Sequence, residues 1–197
     1  MDSGVYDLFV RMPILYTERL MLRKITVRDN EDMYEYSKRP EVSRYLLWSP
    51  HEDIRVTKNY TRYLQGLYLK KSFYDWALVL RRSDKMIGTC GFSHIDAENN
   101  CAEIGYVLNS DYWGLGYAAE AVTRVLAFGF ETAGFNRICA RILDGNTQSV
   151  RVAEKCRMRY EATHKNALIV KGEYKTYHEY AILKKEFLAA NPKTYNI

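Results

Sequence analysis

Between Arg19 and Ile25, Leu20 and Leu22 alternate with Arg19 and Arg23, which predicts a half-buried first strand. Asp29 to about Ser37 reads as a short helix capped by Asp29 or Asn30. A longer helix is predicted from Ser49-Pro50 to Lys71, with Pro50 in the first turn, where its missing N–H costs nothing. The pattern then changes to strands at Phe73 to Leu80, Lys85 to Ser93 and Cys101 to Leu108. Their polar breaks, Arg81 to Asp84 and Asp96 to Asn100, predict an antiparallel meander. Beyond Gly114 and Gly116 the steps lengthen to three and four at Ala118, Ala121, Val122, Val125 and Phe128, an amphipathic helix running to about Thr132.

Arg137 to Leu143 is again a strand, closed by Asp144-Gly145-Asn146. Asn146 is a good N-cap for a helix carrying Val150, Val152 and Ala153 toward Cys156. Tyr160 to Val170 and Tyr174 to Leu183 flank Lys171-Gly172-Glu173, a hairpin turn signal. The order is mixed α/β, antiparallel first, with later crossovers able to set strands parallel. No repeat or flexible linker interrupts the 197 residues. We expect an arm over residues 1–16, one domain over 17–187 and a tail over 188–197.

Composition narrows this reading without changing it. A chain with 47% hydrophobic and 14% aromatic residues buries a core and is not disordered. The net charge of +5 favours an anionic partner without identifying one. Spread charges and the lack of a helix-turn-helix or aromatic RNA-binding signature argue against nucleic acid. Cys90, Cys101, Cys139 and Cys156 lie far apart without zinc spacing, so they read as buried thiols of a reduced compartment, with no metal expected. The start has no signal-peptide pattern, and no run approaches the ~18 apolar residues of a membrane span. The expectation is a cytoplasmic protein without a membrane partner.

The chemistry concentrates where the strand ending at Leu108 leads through Asn109 to Trp113 into Gly114-Leu115-Gly116 and a helix beginning Tyr117-Ala118-Ala119-Glu120. Free backbone N–H groups and the positive helix end converge there, a geometry that binds phosphate. Gly114 and Gly116 let an anion approach closely, and Ala118 and Ala119 keep the first turn small. A glycine pair before a helix can equally do no more than turn the chain. The acidic ribose contact of a dinucleotide fold and the Gly-Lys-Ser/Thr of a P-loop are both missing.

Four segments together resemble the GNAT N-acetyltransferase superfamily, and within it the ribosomal-protein N-terminal acetyltransferase (RimJ/RimL-like) branch. They are Thr17 to Arg23, Ala102 to Leu108, Tyr112 to Ala121, and Asn146 to Ser149 with Val152 to Lys155. The resemblance covers about Leu15 to Phe187. It implies the GNAT acyl-CoA N-acyltransferase fold, a splayed, mostly antiparallel mixed sheet flanked by helices. Acetyl-coenzyme A (acetyl-CoA) would lie where the strands ending at Leu108 and beginning near Arg137 separate.

The same resemblance places pantetheine along Tyr106, Val107 and Leu108 and the pyrophosphate on the amides from Gly114 through Leu115, Gly116, Tyr117 and Ala118 to Ala119, with Trp113 opening the loop. Asn146 and Ser149 would face the thioester. It further implies an amine acceptor, either a protein N-terminus or a small-molecule amine, and allows a homodimer. The chain departs from the pattern at Leu115, where a basic residue is common, at Cys156-Arg157-Met158, which lacks the usual glycine, and at Thr176, often Asp.

Acetyl transfer to an amine needs a base, an oxyanion donor and a proton for the departing thiolate. Glu103 alternates to the face opposite Ala102, Ile104 and Tyr106 and lies beside the expected cleft, which makes it the candidate base, directly or through water; otherwise it is a carboxylate that orders the sheet or binds a substrate ammonium. The N–H of Val107 or Leu108 could polarise the carbonyl. Ser149 could donate toward sulfur, or only complete the Asn146 cap. His94 and His178 lack an identified partner, and Tyr174 and Tyr177 read as strand packing. Tyr34, Tyr36, Tyr45, Trp48, Tyr60, Tyr63 and Tyr68 either wall an acceptor groove or pack the early helices. A noncatalytic acyl-coenzyme A binding module remains the alternative to an enzyme.

Overall fold

The computed structural model describes residues 4–9 and 12–191. Its strands are β1 (Leu15–Tyr16), β2 (Leu20–Lys24), β3 (Tyr74–Leu80), β4 (Met86–Asp96), β5 (Cys101–Leu108), β6 (Arg137–Leu143), β7 (Arg159–Val170) and β8 (Glu173–Leu183). They form one sheet in the order β1-β2-β3-β4-β5-β6-β8-β7. Every neighbouring pair is antiparallel except β5 with β6. The helices are α1 (Gly4–Asp7), α2 (Asn30–Ser37), α3 (Pro40–Ser43), α4 (Ile54–Leu69), α5 (Tyr117–Glu131), α6 (Thr147–Lys155) and α7 (Lys184–Ala190). Residues 1–3, 10–11 and 192–197 of the expected arm and tail lie outside the described residues.

The long helix starts later than the Ser49-Pro50 reading. Asp53, extended at φ −148°, accepts from Arg55 N, and this cap sets the N-terminus at Ile54. The proline that does open a helix is Pro40, at the head of α3, which the sequence reading left out. In α4 the buried stripe is Thr57, Thr61, Leu64 and Tyr68. Its hydroxyls are satisfied, since Thr57 Oγ1 pairs with His51 Nδ1 at 2.8 Å and Thr61 Oγ1 donates to Asn30 Oδ1 at 2.6 Å.

On the α5 side of the sheet the core centres on Trp76. Its ring meets Phe9, Phe92 and Phe128 edge-on, and its Nε1 donates to Pro13 O at 2.8 Å. Phe9 is fully buried, so the segment before the first strand supplies part of this cluster. Each such ring contributes roughly 1.5–3 kcal/mol through burial. Gly129 lets α5 pack closely on the sheet, since a methyl group there would displace the Ile138 Cδ1 that stands 2.7 Å away and crowd Phe92.

The parallel pairing decides the site. β5 and β6 are in register only at Cys101↔Arg137, Ala102↔Ile138 and Glu103↔Cys139. Beyond Glu103 the strands part, while β6 stays paired with β8 from Arg137 to Leu143. The backbone edges of residues 104–108 and 140–143 therefore face a gap. A crossover through α5 has to join two parallel strands, and the split lies at their carboxyl ends, the place where α/β sheets bind ligands.

Candidate active site at the split in the sheet

A cavity of about 600 Å³ occupies the split. Of the expected cofactor contacts, Tyr106, Val107 and Leu108 line it from β5, and Asn146 and Ser149 from the head of α6. Trp113, Gly114, Gly116, Tyr117, Ala118 and Ala119 line its mouth. Leu115 is the exception: it does not line the cavity, its side chain is 56% exposed, and its carbonyl accepts from Arg19 Nη1 at 2.9 Å.

Gly114 and Gly116 stand at φ +77° and +84°, in the left-handed region where a Cβ is strained. Gly116 is the N-cap of α5 and has no side chain to offer. The N–H groups of Tyr117, Ala118 and Ala119 therefore remain available to an anion at the positive end of a 15-residue helix. The chain also places cations that the sequence reading missed. Arg151 and Lys155, one turn apart on α6, line the cavity, as does Arg44. Gln148, Arg151, Val152 and Lys155 form an i, i+3, i+4, i+7 stripe, and that spacing was the signal that could have found them. These three side chains bring positive charge to the same cavity as the glycine loop.

Two networks hold the loop. Glu120 Oε1 accepts from Thr17 Oγ1 at 2.5 Å and from Arg19 N at 2.9 Å, and its Oε2 accepts from Arg19 Nε at 2.6 Å. The Arg19 guanidinium also stacks 4.1 Å above Tyr117. Burial works against the Glu120 charge, but the bonds from Thr17 and Arg19 outweigh it and hold the carboxyl below its ordinary range. This knot explains why Thr17-Glu18-Arg19 and Ala119-Glu120-Ala121 occur together. On the other flank, Arg39 makes a bidentate pair with Asp111 at 2.5 and 2.7 Å, and Trp113 Nε1 donates to Leu108 O at 2.8 Å.

Asn146 caps α6, its Oδ1 accepting from Ser149 N at 3.2 Å, while Ser149 O accepts from Tyr106 Oη at 3.1 Å. The Ser149 hydroxyl makes no hydrogen bond with a described residue. Glu103 belongs to the last pair before the split, on the face opposite Tyr106, and is not part of the cavity lining. Its Oε1 accepts from Ser93 Oγ at 3.1 Å and its Oε2 lies 3.1 Å from Arg141 Nε.

His178, read as lacking a partner, has two: Nε2 lies 3.1 Å from Asp144 Oδ1 and Nδ1 lies 2.8 Å from Thr163 Oγ1. Tyr177 is buried and stacks on His164 at 4.6 Å, whereas Tyr174 is exposed. Of the early aromatics, Tyr45 lines the cavity and donates to Gly145 O at 3.0 Å, while Tyr36 and Tyr68 are core. All four cysteines are free; Cys90 and Cys156 are buried, but Cys101 and Cys139 sit in strands whose alternation leaves them half-buried. Burial pushes the Cys139 and Cys156 thiols up to about 11, which removes them as nucleophiles. Among the described residues, no group of His, Cys, Asp and Glu converges as a metal site, and no helix is long and apolar enough to cross a membrane.

A sheet split at parallel strands, with an anion-binding helix end at its mouth, is the architecture of an acyl-coenzyme A transferase. Residues 19–159 match the acetyltransferase (GNAT) domain family, and the chain belongs to it. It is 34% identical over 176 residues to the uncharacterized N-acetyltransferase p20 of Bacillus licheniformis, covering 89% of this chain and 99% of that protein. The crystal structure of a GNAT-family acetyltransferase from Bacillus anthracis superposes with a TM-score of 0.79 at 30% identity, covering 88% of this chain and all of the other. RimL, a ribosomal L7/L12 alpha-N-protein acetyltransferase solved with coenzyme A, shares the fold with a TM-score of 0.73 at 19% identity, covering 87% and 98%. The protein is an acetyl-CoA-dependent N-acetyltransferase, and the open amides and cations of its cavity suit that cosubstrate.

Proposed function

We propose that the acceptor of this N-acetyltransferase is the N-terminus of a protein, with a small-molecule amine as the alternative. The observation that carries this reading is a second cavity of about 690 Å³ that shares Arg44, Tyr45 and Gly145 with the first. It is walled by Val170, Lys171, Tyr174 and Lys175 of the β7–β8 hairpin. Lys171 Nζ donates to Ser43 O at 2.8 Å, tying the hairpin tip to α3 across that opening. A polypeptide end has room to lie there and to present its amine to the split, whereas a compact amine needs no such extension.

The cosubstrate brings the acetyl group as a thioester, and the chain's residues bind, orient and move protons. The amides from Gly114 to Ala119, with Arg44, Arg151 and Lys155, hold the phosphates, and the freed edges of Tyr106 to Leu108 pair with the pantetheine amides. Glu103, at the vertex of the split, receives the proton of the attacking amine directly or through water. The N–H of Val107 or Leu108 polarises the carbonyl, and the unengaged Ser149 hydroxyl donates a hydrogen bond to the departing sulfur, which takes its proton from solvent.

The test is the thermal midpoint with acetyl-CoA, using ATP and NAD as polyanion controls, followed by thiol release on peptides and small amines. At ~100 times its Kd a specific ligand adds about 2.7 kcal/mol. For a chain of this size that is a rise on the order of 5–10 °C. Release on peptides with free N-termini, lost when they are blocked, supports the reading. Release on small amines alone overturns the acceptor, and a specific shift with no release on any amine identifies a noncatalytic binding module.

A further inference from the structure

On the face that carries Glu103, three positions stand in one row across the sheet: Asp75↔Gly91 between β3 and β4, and Gly91↔Gly105 between β4 and β5. The two glycines leave that row bare. A methyl group at Gly105 would meet only Ser93 Cβ, at 3.9 Å, so the space above β5 is open. A methyl group at Gly91 would collide with the Tyr74 carbonyl and with Asp75 Oδ1, so the Asp75 carboxylate leans over Gly91 toward the split.

That carboxylate has no hydrogen bond or ion pair with any described residue. Tyr36 of α2 and Tyr60 and Tyr68 of α4 feel its charge, as does Cys90 of β4, which alternates to the opposite face of the sheet. Tyr68 Oη donates to the backbone carbonyl of Asp75, not to its side chain. Of the cations on the neighbouring strand β2, Lys24 lies over the Tyr68 ring and Arg23 pairs with Asp29. Burial raises the Asp75 carboxyl to about 7. An unpaired carboxylate among aromatic rings, at the end of a bare strip leading from a transferase split, is built to receive a cation.

We propose that Asp75 anchors a second, non-reacting positive charge of the acceptor, so that the preferred substrates carry a cationic group a few bonds from the amine that is acetylated. This rests on the reading of the chain as an amine acetyltransferase. Spacing decides which charge it holds. The reacting nitrogen must lie at the split beyond Glu103, and strands are about 4.8 Å apart. A carboxylate above Gly91 thus stands a full strand away from β5, outside the roughly 2.6–3.2 Å reach needed to touch that nitrogen. It is within reach of an ammonium three to five bonds further along the same molecule. An N-terminal residue with a basic side chain and an aliphatic diamine both have this chemistry.

The test compares matched pairs in wild type and Asp75→Asn: Lys-initiated against Ala-initiated tetrapeptides, and 1,4-diaminobutane against butylamine. Wild type is expected to show at least a tenfold higher kcat/KM for the doubly charged member of one pair, which also tells a peptide source from a small amine. D75N should erase that preference through KM, leave the singly charged member within twofold and keep the thermal shift with acetyl-CoA. Equal kcat/KM within both pairs in wild type, or a preference that survives in D75N, overturns the proposal. The carboxyl carbon resonance of Asp75, titrated with each probe under saturating acetyl-CoA, needs no turnover. A midpoint lowered by at least one pH unit by the doubly charged member alone supports the anchor even if no amine is acetylated, a failure that would fall on the functional reading. An unmoved midpoint overturns the anchor.

Discussion

Asp75→Asn also tests the electrostatics of the fold without any substrate. Burial holds the folded carboxyl at about 7, against ~3.9 in an unfolded chain. Between those values the folded state keeps a proton that the unfolded state has released. Stability is therefore lost as pH rises from about 4 through 7, and above 7 the whole cost is present. Three pH units at 1.36 kcal/mol each set an upper bound of about 4 kcal/mol. Water reaches part of this side chain, and halving the bound for that screening leaves about 2 kcal/mol. Asparagine carries no such charge, so the variant should gain on wild type between pH 4.5 and 8.5 by about 2 kcal/mol. That corresponds to roughly 4–8 °C in Tm. The assay is calorimetric melting of both proteins at the two pH values and constant ionic strength. Any fixed packing difference cancels in the comparison, as does the acid loss from carboxyls held low, such as Asp29 and Glu120, which both proteins share. A Tm difference, variant minus wild type, that is equal at both pH values or falls as pH rises refutes the reasoning.

Arg157 ends α6 in the left-handed region at φ +63°, with Met158 N bonded to Ala153 O and Arg157 N to Glu154 O. Arg157→Gly relieves that strain, and denaturant unfolding should show a gain of about 1 kcal/mol; a loss would mean that the side chain has a role its exposure conceals. Arg151→Ala and Lys155→Ala should each weaken acetyl-CoA by about fivefold, roughly 1 kcal/mol, less at high salt, as read by calorimetric titration; unchanged affinity in the double variant removes both from the phosphate site. Glu103→Gln should lower kcat at least ~10-fold while leaving acetyl-CoA affinity within about twofold, and unchanged turnover removes Glu103 from the proton path.

The elements near the cosubstrate were legible because their signals are local. The Asn146 cap, the glycines before α5 and the strand ending at Leu108 each depend on residues within a few positions of one another, and all appear where periodicity and capping place them. The start of α4 was misread because Pro50 and Asp53 are both acceptable openings, and only the capping bond to Arg55 chooses between them. Leu115 belongs to the loop whose amides were assigned to the pyrophosphate; what local spacing did not show is that Arg19, 96 residues away, takes its carbonyl.

The succession of elements from β2 to β8, α3 apart, the glycine turn before α5 and the family were all readable along the chain, since these reside in short-range spacing. The tertiary structure alone decided that β5 and β6 part after Glu103, that Arg44, Arg151 and Lys155 meet at one cavity, and that Asp75 faces a bare strip of glycines. Each of these depends on strand register, which pairs residues tens of positions apart and reverses a side chain's face with every single-residue shift.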